Sequence, residues 1–263
     1  MLTDHATGTR ARNAQRDAAI LDSRVHGIEP LQVDGLLIAP TGVPHEQWNG
    51  AWFTGVPDDL VRALDLARDQ FRSRGVPYGL VVPLDLAPVL GGWLSAAGAG
   101  YKHLLPLMER DLDTVPVVFP PPGIRIRPAS GPEDYRALAR IQAVCFGDGE
   151  PLWSRYLRAR YDHPDIVDFL AVTNDPHAGT TGTVVGTGTL VVTGEAAGVY
   201  GIGVIPRWRR QGIGAALTAA VLSAGARLGC RVAHLNPSES GGRTYRRLGF
   251  RDVDGFHIWS PPD

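Results

Sequence analysis

A basic segment between two hydrophobic stretches carries the clearest chemical signal in this sequence. Residues 203–214 read GVIPRWRRQGIG, which predicts the end of a strand, a loop with three arginines and the first turn of a helix. No Ser, Thr, Asp or Asn stands where it could cap that helix, so its first N–H groups are expected to be free. Together with the helix dipole and close approach at Gly212 and Gly214, they predict an anion site suited to a pyrophosphate.

Other phosphate-binding motifs fit this segment poorly. No Lys-Ser or Lys-Thr follows the glycines, as it would in a nucleoside triphosphate loop. The third glycine and the distal acid of a dinucleotide fingerprint are also missing. The segment instead resembles the acyl-CoA pyrophosphate loop of the GNAT acetyltransferases, whose pattern Arg/Gln-x-x-Gly-x-Gly/Ala is matched by Arg209, Gly212 and Gly214. The resemblance implies that the loop binds the cofactor through Arg209, Arg210, Gln211, Gly212, Ile213, Gly214 and Ala215.

The order of the neighbouring motifs extends the resemblance over residues 124–260. FLAVTND and VVGTGTLVV resemble the hairpin of GNAT strands 2 and 3, and GVYGIGV resembles strand 4. In the family, the strand-4 backbone pairs with the pantetheine arm where strands 4 and 5 splay apart, a pairing that makes little demand on side chains. The residues in that position are Ile202, Gly203, Val204 and Ile205.

TYRRLGF, over residues 244–250, matches the C-terminal GNAT signature. The resemblance implies that Tyr245 contacts the cofactor and protonates the departing CoA thiolate. Ser238 stands where many members carry an Asn that contacts CoA, and we expect its hydroxyl to take over that contact. The sequence does not identify the general base: Tyr200, His234 and a water chain are alternatives, and Glu195 lies in the turn before strand 4.

Three aromatic residues on the second helix of this half, Trp153, Tyr156 and Tyr161, lie where the family builds its acceptor wall. Cys145, on the preceding helix, is expected to be a small core residue. Asp162, His163 and Asp165 are not at metal-ligand spacing, so no metal site is predicted.

Composition limits the possible function classes. The chain has 263 residues, 44% of them hydrophobic, and a net charge of −1, which argues against general nucleic-acid binding. Two cysteines provide neither a disulfide framework nor a metal cluster. No apolar run reaches the ~18 residues needed to span a bilayer, and no signal peptide is recognised. We therefore expect a cytoplasmic monomer or homodimer that does not bind membranes.

The order of elements predicts a mixed α/β fold with two related halves. We expect an N-terminal extension at 1–29, a degenerate GNAT-like domain at 30–119 and a GNAT domain at 123–263, divided by the proline-rich segment 113–123. In the first half, 33–40 and 48–56 each predict one strand.

The two copies of the repeat differ at the start of their long helix. Val56-Pro57 aligns with Ile205-Pro206, after which the second copy has five additional residues, 207–211. The first copy proceeds directly to Asp58 and Asp59, with Asp58 as the expected helix cap. Two carboxylates there would satisfy the N–H groups and repel a pyrophosphate. This tandem arrangement predicts a first half that holds no cofactor.

The resemblance leads to an N-acetyltransferase that moves an acetyl group from acetyl-CoA to a primary amine by direct attack. The acceptor is a small molecule or a peptide. Two alternatives stay open: a non-catalytic acyl-CoA-binding or regulatory protein, and a transferase for another acyl-CoA.

Overall fold

The computed structural model describes residues 5–173 and 182–262. Contacts between Cα atoms divide the chain into two compact units. Unit 1 comprises Met1–Leu107 and Val253–Asp263, and unit 2 comprises Met108–Asp252. This division falls within strands and not at the proline-rich segment 113–123, where the sequence places the boundary. The domain ranges 1–29, 30–119 and 123–263 therefore remain a prediction about the origin of the two halves.

Unit 1 is a mixed sheet with helices on both faces. Its helices are α1 (His5–Val25), α2 (Leu60–Arg72) and α3 (Ala87–Ala96). Its strands are β1 (Leu31–Val33), β2 (Leu36–Ala39), β3 (Gly50–Phe53), β4 (Gly79–Pro83) and most of β5 (Gly100–Asp111) and β11 (Arg251–Ser260). Strands β3 and β4 are parallel, whereas β1–β2, β2–β3 and β4–β11 are antiparallel.

The apolar residues of unit 1 form two clusters. Phe71 of α2 and Leu90 of α3 pack with alternate strand residues such as Leu80. Ala11 of α1 packs with Val81 and its neighbours. Because Leu80 and Val81 are adjacent in one strand, their side chains point to opposite faces. Helix α1 therefore covers the face opposite to α2 and α3.

The single strand predicted at 33–40 is wrong. The chain turns at Asp34 (φ 34°) and Gly35 (φ 71°), so that β1 and β2 form a hairpin with Val33 opposite Leu36. An Asp-Gly pair suits the positive φ angles that a two-residue hairpin turn requires. The second predicted strand, 48–56, is confirmed in its centre as β3.

Unit 2 contains the predicted chemistry. Its helices are α4 (Gly131–Phe146), α5 (Glu150–Arg160), α6 (Ile213–Arg227) and α7 (Gly242–Arg247). Its strands are β6 (Ile124–Pro128), β7 (Ile166–Thr173), β8 (Val184–Thr193), β9 (Ala196–Val204) and β10 (Val232–Leu235), joined by the end of β5. Strands β9 and β10 are parallel, and the other pairs are antiparallel. The Gly/Thr-rich turn predicted at 176–182 lies almost wholly outside the described residues.

Helices α4 and α6 lie on opposite faces of the unit 2 sheet. A Cβ on Gly188 would lie 3.7 Å from Leu217 of α6. The adjacent Thr187 accepts a 3.1 Å hydrogen bond from Gln142 of α4. Successive strand residues alternate between faces, so the α6 face holds the large apolar cluster. The α4 face carries buried polar side chains such as Thr187 and Thr189 beside apolar ones such as Leu170.

The internal repeat is visible in the pairing. In each unit a parallel pair is joined by one helix: β3–α2–β4 in unit 1 and β9–α6–β10 in unit 2. The next strand along the chain does not pair within its own copy. Strand β5, which follows α3, pairs with β10, and β11, which follows α7, pairs with β4. The mixed α/β class predicted from the sequence is confirmed.

Candidate functional site

The N-terminus of α6 is uncapped, as the sequence predicts. Gly212 occupies the N-cap position with φ 87°, and no side chain caps the helix in the part of the chain that the structure describes. The hydrogen bond from the Ala216 N–H to the Gly212 carbonyl oxygen, at 3.0 Å, spans the first turn. A Cβ added to Gly212 would meet nothing within 4 Å. The uncapped first turn and the open space at Gly212 therefore fit an anionic group.

Helix α2, the counterpart of α6 in unit 1, begins in the opposite way. Asp59 is its N-cap and accepts a 3.0 Å hydrogen bond from the Arg62 N–H, so the predicted cap at Asp58 is wrong by one residue. The carboxylate of Asp34 also accepts the N–H groups of Asp58 and Asp59, at 3.1 and 3.3 Å. The carboxylates of Asp34 and Asp59 therefore accept the N–H groups at the start of α2 and fill the space that a phosphate would need.

The basic loop folds onto the end of β9. Its first residues, Pro206–Trp208, form a 3-10 turn. The Nε of Arg209 then donates a 2.9 Å hydrogen bond to the Val204 carbonyl oxygen. Arg210 has a positive φ of 64°, which turns the chain towards Gly212. These contacts tie the arginine loop to the strand predicted to bind the pantetheine arm.

Strand β9 is bulged at the position predicted for cofactor contacts. Thr187 pairs with Gly203 and Thr189 with Tyr200, so Gly188 stands opposite two residues, Gly201 and Ile202. Gly201 has φ 56°, and its carbonyl oxygen accepts hydrogen bonds from Gln142 Nε2 at 3.2 Å and Thr187 Oγ1 at 3.1 Å. The bulge was not predicted from the sequence, although a glycine in the middle of a strand, here Gly201, often indicates one.

The parallel pairing of β9 with β10 is short. It covers Ala196–Gly198 of β9 and ends at the pair Gly198–His234, within the residues that the structure describes. From Val199 onward β9 pairs with β8 alone. The other edge of β9 thus offers backbone groups to an extended ligand. Ile202, Gly203 and Val204 lie on this stretch, and Ile205 follows directly.

The end of α4 lies against Gly203. A Cβ on Gly203 would stand 3.0 Å from Cys145 Sγ and 3.1 Å from Phe146 Cε2. Cys145 was expected in the core, but it is half-buried beside the predicted cofactor strand. Burial raises the pKa of its thiol, and the nearby Arg209 guanidinium partly offsets that shift. Neither contact could be predicted from sequence, because α4 and β9 are far apart along the chain.

Tyr245 lies in the predicted helix, α7, and packs into the same apolar cluster as Ile202, Val204 and Ile213. Burial raises the pKa of its phenol to about 12. The ring makes an edge contact with Phe250, with centroids 6.0 Å apart. Ser238 is exposed and accepts a 3.2 Å hydrogen bond from the Gly241 N–H, so its hydroxyl shapes the loop before α7.

The base candidates have different surroundings. Glu195 is exposed and forms an ion pair with Arg231 at 3.2 Å. His234 is completely buried, and neither ring nitrogen has a hydrogen-bond partner among the described residues. Burial lowers the pKa of His234 to about 4, so the ring is neutral near pH 7. Tyr200 makes an edge contact with His234 at 6.0 Å between centroids.

The aromatic residues of α5 form part of a row beside this site. The Trp153 ring lies 6.0 Å from Phe146 and 6.1 Å from Tyr156, measured between centroids. Tyr161 belongs to a different contact, an edge-to-face pair with Tyr135. Within the described ranges, no group of His, Cys, Asp and Glu side chains could hold a metal ion.

Comparison with known proteins agrees with this geometry. Residues 167–252 match the family model for the acetyltransferase (GNAT) domain. No match was found among curated proteins. The chain shares 20% identity and a TM-score of 0.75 with a GCN5-related N-acetyltransferase from Kribbella flavida, over 95% of both chains. One from Sphaerobacter thermophilus has 19% identity and a TM-score of 0.62, over 89% of this chain and 77% of that one.

A tandem arrangement is also represented among the similar structures. A tandem GNAT protein from the clavulanic acid biosynthesis pathway has 17% identity and a TM-score of 0.57, over 85% of this chain and 77% of that one. Residues 167–252 therefore match the GNAT acetyltransferase domain, and the chain has the fold of the GCN5-related N-acetyltransferases. The predicted resemblance is confirmed. Proteins of this family are acyltransferases that use an acyl-CoA co-substrate and amine acceptors.

None of the described helices combines the length and the apolar character needed to cross a bilayer.

Proposed function

We propose that this protein is an N-acetyltransferase that moves an acetyl group from acetyl-CoA to a primary amine. The observation that carries the proposal is the uncapped N-terminus of α6, which opens beside the unpaired edge of β9. Acetyl-CoA, when bound, supplies the reactive thioester. The chain's own residues bind it, orient it and handle the proton.

The proposed phosphate contacts follow from the donors at α6. The N–H groups of Ile213, Gly214 and Ala215 point along the helix axis, and Gly212 leaves room in front of them. Arg209, Arg210 and Gln211 add donors and positive charge that complement a pyrophosphate. Ser238 is a further proposed contact in the loop before α7.

The proposed pantetheine contacts lie on the free edge of β9. Ile202, Gly203 and the Val204 N–H offer backbone groups there, beside the bulge at Gly201. Ile205 would contact the arm through its side chain, because its N–H and carbonyl oxygen are already bonded to Val185 and Trp208. An N–H group near Val204 is placed to polarise the thioester carbonyl, as oxyanion-hole donors do.

Tyr245 is the proposed general acid. Its pKa of about 12 keeps the phenol protonated at neutral pH. A free thiol has a pKa of about 8.5, so complete proton transfer from Tyr245 to a free thiolate would be uphill. Tyr245 therefore passes its proton to sulfur while the carbon–sulfur bond breaks, and it regains a proton from the attacking amine. Overall, the neutral amine loses one proton and the CoA thiol gains one.

One observation favours the rival proposal of a non-catalytic acyl-CoA-binding protein. Ser238 directs its hydroxyl to Gly241 of its own loop, where many relatives use an Asn on CoA. A transferase for another acyl-CoA would use the same contacts. A cytoplasmic location and a monomeric or dimeric state remain predictions.

The test is thiol release from acetyl-CoA with a panel of primary amines, beside CoA titration by calorimetry. The proposal expects CoA binding and thiol release that rises with one class of amine. Tight CoA binding without amine-dependent release would favour the non-catalytic protein. Absence of CoA binding would overturn both proposals, beginning with the loop at Arg209.

A further inference from the structure

The last turn of α4 brings an exposed phenyl ring to the proposed acyl site. Phe146 Cε2 lies 3.1 Å from the point where a Cβ on Gly203 would stand. A side chain at position 203 would contact the ring tightly, so the ring lies close to the backbone of β9. Phe146 is 49% exposed even though it is in contact with the strand. A ligand at Gly203 would therefore meet this ring.

Phe146 is the open end of a fixed aromatic row. The Trp153 indole follows at 6.0 Å, and its Nε1 donates a 2.8 Å hydrogen bond to the Gly147 carbonyl oxygen. Tyr156 follows at 6.1 Å and is buried, with the Arg160 guanidinium 4.9 Å from its ring centroid. These contacts hold the row in one orientation before any ligand arrives, as expected for a binding wall.

The connection between α4 and α5 places charge beside this wall. It is bent by three consecutive residues with positive φ: Gly147, Asp148 and Gly149, at 92°, 66° and 73°. Asp148 and Glu150 give the connection two carboxylates, and both residues are exposed. Glu150 therefore contributes negative charge at the start of α5, where a carboxylate-bearing acceptor would be repelled.

The chemistry of the row decides which acceptor fits. An apolar body removes water from the Phe146 and Trp153 rings on binding, which is favourable. A polyhydroxylated amine would instead lose the hydration of its hydroxyl groups against rings that cannot replace it.

We infer that the acceptor is a small primary amine with an apolar, preferably aromatic, body that packs on Phe146 and Trp153. The inference rests on the proposed function, since it places the amine at the acyl group beside Gly203. It predicts a preference of at least about tenfold in kcat/KM for 2-phenylethylamine over ethanolamine.

The experiment compares acetyl transfer to 2-phenylethylamine and ethanolamine by the full chain and two variants. Phe146→Ala is expected to lower kcat/KM for 2-phenylethylamine about tenfold more than kcat/KM for ethanolamine, so that the preference between the two amines is lost. CoA affinity of the variant is measured separately, because the ring also lies at Gly203. Phe119→Ala is the matched control, because Phe119 is 83% exposed in the proline-rich segment, and it should change neither rate. A peptide with an N-terminal Phe is included, and transfer to it faster than to 2-phenylethylamine would overturn the inference.

A second measurement separates this inference from the proposed function. Calorimetry follows 2-phenylethylamine binding to the CoA-loaded protein. If Phe146→Ala weakens amine binding but no amine is acetylated, the result would support the aromatic acceptor site and overturn the proposed transferase function. If both amines are acetylated equally and Phe146→Ala changes neither rate, the result would overturn the aromatic acceptor site but not the proposed transferase function.

Discussion

The Nε atom of Arg209 donates a 2.9 Å hydrogen bond to the carbonyl oxygen of Val204, the last residue of β9. This bond joins two features that the sequence places on separate elements, a basic loop and a strand edge. A side chain held at its Nε has fewer orientations for its remaining guanidinium nitrogens. Arg209 is thereby pre-oriented at the mouth of the proposed cofactor site.

Replacing Arg209 by Ala should weaken CoA binding about tenfold or more, because it removes a charged donor and frees the loop from β9. Calorimetric titration with CoA measures the effect. Arg227→Ala is the control: Arg227 lies in the last turn of the same helix and bonds Ser223. Equal losses in the two variants would refute a specific role for Arg209.

Two glycines at opposite ends of α6 provide a matched test of the N-terminal site. Gly212 and Gly229 have φ angles of 87° and 88°, and a Cβ on either would meet nothing within 4 Å. Alanine at each position should therefore cost a similar backbone strain of about 1–2 kcal/mol. We expect similar losses of thermal stability, measured by calorimetry, but a loss of CoA affinity for Gly212→Ala alone. Loss of CoA affinity in both variants would contradict this.

Tyr245→Phe keeps the ring packing and removes the hydroxyl. We expect kcat to fall about a hundredfold, as for loss of a general acid, with CoA affinity nearly unchanged. Since the pKa of Tyr245 is about 12, its deprotonation should not limit activity at any pH below about 10. A pH profile of kcat tests both statements. An unchanged kcat in the variant would exclude Tyr245 from the chemistry.

His234 should make stability depend on pH. Its pKa is about 4 in the folded protein, against an ordinary value of about 6.5, so the unfolded chain binds a proton more readily. The stabilisation is complete above pH ~6.5 and is lost as the pH falls towards 4, by about 3 kcal/mol in total. Denaturant unfolding at several pH values measures this slope.

Two variants test whether His234 causes the dependence of the unfolding free energy on pH. His234→Gln should flatten the dependence between pH 6.5 and 4, whatever it does to absolute stability, since Gln does not titrate. His103→Gln, at an exposed site, should leave the slope as it is. A slope that survives in His234→Gln would assign it to other groups.

The N-cap of α2 is Asp59 in the structure, whereas the sequence predicts Asp58. Asp59→Ala should lower the unfolding free energy by about 1 kcal/mol, as loss of an N-cap does. Asp58→Ala should cost less, because the Asp58 side chain is not the cap. Urea denaturation of both variants makes the comparison, and the reverse order of effects would restore the sequence-based assignment.

The parts of the fold that sequence could predict are those set by local patterns. The α6 N-terminus followed from missing caps and two glycines, and most helices and strands followed from periodicity. The β1–β2 hairpin was missed because an Asp-Gly turn lay inside a short apolar run. The domain boundary at 113–123 was inferred from prolines, whereas the compact units depend on pairings such as Val81 with Ile258, which no local pattern encodes.

Only part of the candidate site could likewise be predicted from the sequence. Residues matching contiguous motifs, such as Arg209, Gly212 and Tyr245, could be named from the sequence. Phe146 could not, because its importance lies in its 3.1 Å approach to Gly203 across the helix–sheet interface. The neutral state of His234 likewise depends on its complete burial, which the sequence of β10 alone does not predict.

The place of β11 in the chain has a consequence for biosynthesis. Val81 of β4 leaves the ribosome before the whole of unit 2, whereas its partner Ile258 follows unit 2 in the chain. At about 5–20 residues per second, β4 waits roughly ten to thirty-five seconds for β11. Unit 1 is thus completed only after unit 2 has been synthesised, and in the interval its open strand edge is exposed to chaperones and to neighbouring nascent chains.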